Sequence, residues 1–189
     1  GAVKDDGRVY GRVITNGAVT GRMTHQSPNM AQVPAVSAPF GTECRQCWTV
    51  DEGNVLVGID ASGLELRMLA HYMDDEDYTN EILNGDIHTA NQRAAGLETR
   101  PLAKTFIYAF LYGAGDAKIG AIVGGNSHIG RRLKERFLSN TPALERLRGD
   151  TNGEAESGVL VGLDGRKLRV RSQHAALNTK LQGAGACVM

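Results

Sequence analysis

The chain has 189 residues, of which 41% are hydrophobic and 22% charged, so it is long enough to bury a core and ordinary in composition for a water-facing protein. No apolar run approaches the roughly 18 residues of a membrane span, and no basic start leads into an apolar stretch, so neither a spanning helix nor a signal peptide is expected here, and the expectation is a cytoplasmic protein without a membrane partner. Formal net charge is zero, but the charges are segregated: +2 over residues 1–50, −9 over 51–90, +6 over 91–148, −4 over 149–164 and +5 over 165–189. Basic stretches beside an acidic one suit a site with phosphates on one wall and metal ions on another, and equally suit solvated helix faces.

In chain order, Val9–Thr15 alternates as a strand does and runs into the turn signal Asn16-Gly17. The stretch from Pro28 through Pro34 to Pro39 reads as extended, because proline removes donors and disfavours helix in the residue before it. Cys44 and Cys47 have no second Cys or His pair at zinc-ligand spacing, and with Cys187 the cysteine count is odd, so reduced thiols are expected. A strand-like Trp48-Thr-Val follows. Val55-Leu-Val-Gly-Ile59 reads as a buried central strand delivering Asp60 at its end.

From Ser62 the apolar period becomes helical, with helices predicted near 62–72, 86–95, 100–112, 126–138 and 142–148. The acidic, glycine-containing segment 149–158 reads as a linker. Two short strands around Asp164-Gly165 are predicted within Val159–Val170, and a helix from Ala175 onward. Gly1 in place of Met, and Met189 inside a helix-like stretch, read as cut ends.

Two patterns carry chemistry. An Asp leaving a buried strand directly before a helix can hold a metal ion at the strand's carboxyl edge, although the same position is a common helix cap. Arg100, Lys104, Tyr108 and Tyr112 recur every four residues and so line one inclined helical stripe. Two cations followed by two aromatics can meet a triphosphate at one end and a base at the other; a half-buried helix with exposed basic residues would look the same.

The string Asp60-Ala-Ser-Gly-Leu-Glu-Leu-Arg67 resembles the first catalytic motif of family A (DNA polymerase I type) DNA polymerases, and Arg100-Pro-Leu-Ala-Lys104-Thr-Phe-Ile-Tyr108-Ala-Phe-Leu-Tyr112-Gly resembles the family's fingers helix. With Thr20–Pro34 and the carboxy-terminal polar positions, four motifs follow the family's order. With Asp-Ala-Ser-Gly-Leu-Glu in the first motif, the chain resembles most the family members of short-tailed bacteriophages. The resemblance implies an α/β (α+β) polymerase right-hand fold, a partial palm sheet plus helical fingers. It divides the chain into palm (1–75), fingers (76–150) and a return hairpin and helix toward the palm (151–189).

The resemblance also implies roles. Asp60 and the carbonyl of Ala61 would bind two Mg2+ ions. Glu65 would close the space beside the sugar 2′ carbon. Arg100, Lys104 and His88 would hold the phosphates of the incoming dNTP, with Lys104 also protonating the leaving pyrophosphate. Tyr108 would pack on the new base and sugar, and Tyr112 on the template. Arg22, His174, Asn178 and Gln182 would contact primer-template DNA in the minor groove, where correct pairs present similar acceptors; many family members carry Arg at the His174 position. No His-Asp-Glu string occurs, so the family's second metal-bridging carboxylate is missing and the chain reads as a fragment that should not polymerise alone. A processivity factor would bind outside it. The competing readings are a single-subunit RNA polymerase, which has Gly at the Glu65 position and Met near Tyr108, and a non-catalytic nucleic-acid-binding derivative.

Overall fold

The computed structural model describes residues 2–189 and divides into two compact units, one ending at Ser62 and one spanning Gly63–Met189.

In the first unit, β1 (Arg12–Ile14) pairs antiparallel with β2 (Thr24–Gln26), with Val13 opposite His25. The predicted strand is therefore present but short. A six-residue helix, α1 (Gly41–Gln46), holds Cys44 where no helix was expected, and Trp48–Val50 is irregular rather than strand. Arg8 pairs with Asp51 at 2.8 Å.

The predicted central strand at Val55–Ile59 is not formed. The segment is irregular, and Val55, Leu56, Val57 and Ile59 are 64–88% exposed. An apolar strand becomes a strand when flanking strands complete its ladder and cover both faces. The two sheets among the described residues are separate two-stranded hairpins, and neither includes this run. Asp60 and Ala61 consequently lie on an irregular segment rather than at a strand exit.

The second unit is helical: α2 (Leu64–Met73), α3 (Glu76–Leu83), α4 (Ile87–Ala95), α5 (Arg100–Leu111), α6 (Asp116–Ile122), α7 (Ser127–Ser139), α8 (Pro142–Ala155) and α9 (Ala176–Val188), with the hairpin β3 (Val159–Val161) and β4 (Lys167–Arg169) before α9. Its core is built where α2, α5, α7, α8 and α9 turn Leu69, Phe106, Ile107, Phe137, Leu144 and Leu181 inward. Phe137 meets Phe106 and Phe110 edge-on, with centroids 5.1 and 5.5 Å away. This contact fixes which side of α5 faces inward.

The expected linker 149–158 is instead mostly the end of α8. Glycines at 149 and 153 disfavour helix, but Leu144, Leu147, Thr151 and Ala155 form a buried stripe along it, and that burial outweighs the propensity cost of about 1 kcal/mol per glycine. Two short helices, α3 and α6, also went unpredicted. Leu160 and Leu168 sit opposite each other in the β3–β4 ladder and are buried with Ala155 and Ala176. Glu154 on α8 pairs with Lys180 on α9 at 2.8 Å.

Candidate nucleotide-binding site

The first unit contributes Arg22, Asp60 and Ala61. Arg22 is exposed in the loop joining β1 to β2, and its carbonyl accepts a hydrogen bond from the Ala18 amide at 3.1 Å. Asp60 is exposed and Ala61 partly buried.

The second unit gathers the other nine expected site residues, six of them around α5. Thr99 caps this helix by accepting from the Leu102 amide, and Pro101 occupies its first turn. Ala103, Phe106, Ile107 and Phe110 turn to the core, which places Arg100 and Lys104 on the exposed side and Tyr108 half-buried beside them. Tyr112, half exposed, continues the stripe, its ring centroid 6.3 Å from that of Tyr108.

His88 comes from the first turn of α4, whose cap Asp86 accepts from the His88 amide at 3.1 Å and the Thr89 hydroxyl at 2.7 Å. The imidazole lies 6.3 Å, centroid to centroid, from Tyr108. Its Nδ1 is buried without a hydrogen-bond partner among the described residues. Burial first and then the Arg100 guanidinium push the His88 pKa down, Asp86 opposes them by less, and Lys104 adds a weaker downward push. The imidazole is therefore neutral at neutral pH.

Glu65, in the first turn of α2, is close enough to act on Tyr108: burial, then the Glu65 charge, then Tyr112 push the phenol's pKa up. A carboxylate, an aromatic ring, an imidazole and two cations thus surround one stretch of α5. Such a surface can take a phosphate chain at the Arg100–Lys104 end and a flat, partly apolar group against Tyr108.

At the far end of α5, Gly113 adopts a left-handed φ of +74° and packs so closely on the His174 backbone that a Cβ would collide with its carbonyl oxygen. His174 is exposed in a 3-10 turn (Gln173–Ala175), ahead of the partly buried Asn178 and Gln182 on α9, so the expected single helical face is split between two elements. A cleft of about 580 Å3 opens here, with His174, Lys134 and Arg148 on its walls. Sequence reading passed over Lys134 and Arg148. It also passed over Asp86, whose signal was an Asp three residues before Thr89 at a helix start.

The chain matches the description of DNA polymerase family A over residues 2–189. It is 51% identical to the DNA-directed DNA polymerase of Enterobacteria phage T3 and to that of Escherichia phage T7, in each case across 98% of this chain and 30% of the phage protein. It is 27% identical to the thermostable DNA polymerase I of Thermus aquaticus, over 97% of this chain and 24% of that protein. The chain thus spans about 30% of the length of the phage relatives. Among solved structures, the POL domain of Pol1 from M. smegmatis, in complex with DNA primer-template and dNTP, superposes with a TM-score of 0.81 at 22% identity, covering 98% of this chain and 36% of that one. With the fold and the sequence agreeing along almost its whole length, the chain belongs to DNA polymerase family A.

Proposed function

We propose that this chain is the palm and fingers segment of a phage replicative DNA polymerase, and that its α5 face holds the incoming deoxynucleoside triphosphate during template-directed synthesis. The observation that carries this reading is the convergence of His88, Arg100, Lys104 and Tyr108 beside Glu65. Residues 1–75 are assigned to the palm, 76–150 to the fingers and 151–189 to the return toward the palm.

Arg100 and Lys104 bind the triphosphate as charge-assisted donors, and His88, neutral in the free protein, adds a donor from one ring nitrogen. Tyr108 stacks on the base and sugar. The Glu65 side chain occupies the space a ribose 2′ hydroxyl would need, which favours deoxynucleotides over ribonucleotides and DNA over RNA synthesis. In the reaction the primer 3′ hydroxyl gives up its proton to water, its oxygen bonds to the α-phosphorus, the bond from that phosphorus to the bridging oxygen breaks, and pyrophosphate leaves. Lys104 stabilises the charge that develops on pyrophosphate and can give it a proton.

Asp60 and the Ala61 carbonyl offer adjacent hard oxygen donors on an exposed segment, which fits Mg2+ in part. No group of three or more candidate ligand side chains occurs among the described residues, and Mg2+ characteristically fills its shell with substrate phosphates and water. When bound, two such ions supply Lewis acidity to the attacking and leaving oxygens. The family's second carboxylate is not in this sequence, so the chain alone is not expected to extend a primer. Arg22, Tyr112, His174, Asn178 and Gln182 are assigned to primer-template DNA, a processivity factor to surfaces outside this segment, and the site of action to the host cytoplasm. No helix among the described residues is long and apolar enough to cross a membrane.

The test is primer extension by a polymerase-length protein carrying this chain. Asp60→Asn should reduce incorporation by about 100- to 1,000-fold, as removal of a charge-stabilising group from a reaction centre does. Retention of more than a tenth of the rate would remove Asp60 from the metal site.

A further inference from the structure

The Asp86 carboxylate is shared between two helices. Its two oxygens cap α4 through the His88 amide and the Thr89 hydroxyl, and they also reach α5, accepting from Arg100 Nε at 2.6 Å and Nη2 at 3.1 Å. Four donors fix the carboxylate in place. Arg100 first, then Thr89, hold its pKa well below the usual carboxylate range, so it is charged at neutral pH. A guanidinium has five N–H donors in a planar fork, and Asp86 takes two along one edge. The remaining three, on Nη1 and Nη2, project from the end of the fork. The Arg100 side chain is 52% exposed, so a ligand can reach that end.

The geometry points to Asp86 as a positioning residue that holds the Arg100 guanidinium with its outer edge set to receive the triphosphate, without touching the nucleotide itself. This inference rests on the reading of Arg100 as a phosphate ligand. Two effects of Asp86 oppose each other. Its charge repels a polyphosphate, but both partners are half exposed and that repulsion is screened by water and salt. Its bidentate grip removes rotamer freedom from a long side chain before the ligand arrives, and it acts at 2.6 and 3.1 Å, well inside the roughly 8 Å screening length at physiological salt, so it is weakened less than the repulsion. The grip therefore prevails at physiological ionic strength, and loss of Asp86 weakens binding where simple charge counting expects it to strengthen.

Isothermal titration of tripolyphosphate and of dATP, without added metal, into the 189-residue chain at 0.15 M salt tests this. Asp86→Asn keeps a good helix cap but loses the charged pair, and Asp86→Ser keeps the cap with a side chain too short to grip Arg100. Each should weaken both ligands about five- to tenfold, with thermal unfolding confirming a folded chain. Arg100→Ala should weaken them at least as much, and adding Asp86→Asn to Arg100→Ala should change binding less than twofold, the signature of two groups acting as one. Unchanged or tighter binding by both Asp86 variants, with Arg100→Ala still impaired, would overturn the positioning role and leave the Arg100 assignment standing. Multiplying losses in the double variant would also overturn it, since Asp86 would then be acting through α4. An unimpaired Arg100→Ala would remove the Arg100 assignment, and the inference with it.

Discussion

Replacing Phe137 by alanine tests the packing that orients the α5 face proposed to bind nucleotide. Phe137 has no solvent exposure and meets Phe106 and Phe110, both on α5, edge to face at 5.1 and 5.5 Å. Truncating a fully buried Phe costs about 3–5 kcal/mol, a figure that already contains the lost aromatic contacts of about 0.5–1.5 kcal/mol each. The unit Gly63–Met189 should unfold with an entropy of roughly 0.27 kcal/mol/K, at about 2.1 cal/mol/K per residue, so a 4 kcal/mol loss lowers Tm by about 15 °C. Thermal and urea unfolding followed by far-ultraviolet circular dichroism would read this directly. Phe137→Leu, which keeps most of the volume, should cost only about 1–2 kcal/mol. A loss below about 1.5 kcal/mol for the alanine variant, at unchanged urea slope, would refute the claim that this trio sets the orientation of α5.

Further outcomes follow from the same geometry. Gly113→Ala puts a Cβ on a left-handed backbone and against the His174 carbonyl, and should cost about 2 kcal/mol or more in the same unfolding assay. Tyr78 is buried and donates to Asn91 Oδ1 at 3.4 Å, and burial raises its pKa above the ordinary value of 10.0. Its neutral form stabilises the fold fully below pH 10, and that stability is lost as pH rises from there toward the raised folded pKa; Tyr78→Phe should flatten this part of the alkaline unfolding curve. In a polymerase-length protein, Glu65→Ala should raise kcat/KM for ribonucleotides relative to deoxynucleotides, and an unchanged ratio would remove Glu65 from sugar selection. Tyr108→Phe keeps the stacking ring but loses the hydroxyl that can fill the place of a missing 3′ hydroxyl, so it should restore discrimination against dideoxynucleotides with ordinary incorporation nearly intact; equal loss of both would assign the hydroxyl to folding or catalysis.

Where a helix has caps and an apolar stripe in its own sequence, it was legible. Helix α5 shows Thr99, Pro101 and the run of inward residues, and α4 ends at Gly96 in a left-handed cap. Other elements depend on contacts that sequence distance conceals. Helix α3 buries only Tyr78 and starts with acidic residues, so it reads as polar chain although Asp75 caps it through the Tyr78 amide. In α6, Gly120 looks like a breaker, but it and Gly130 allow close approach, since a Cβ on either would strike the backbone at Asn126 or Asp116. The run Val55–Ile59 misled in the opposite direction: its residues have strand character but no strand partner among the described residues.

At the site, the four-residue spacing gave the stripe from Arg100 to Tyr108, because spacing on one helix is a local property. The link from Asp86 to Arg100 joins residues fourteen apart on two helices, which no periodicity reports. Family resemblance supplied Glu65 and His88; the fold sets the His88 ring 6.3 Å from that of Tyr108 and brings Glu65 near enough for its charge to act on the phenol.

Titration of the 15N-labelled chain with dATP, followed by amide chemical shifts, tests most directly whether the α5 face receives the incoming nucleotide. If it does, shifts concentrate on Asp86–Thr89 and on Thr99–Tyr108. Shifts that spare both segments, or that fall only around the cleft lined by Lys134 and Arg148, would contradict that assignment.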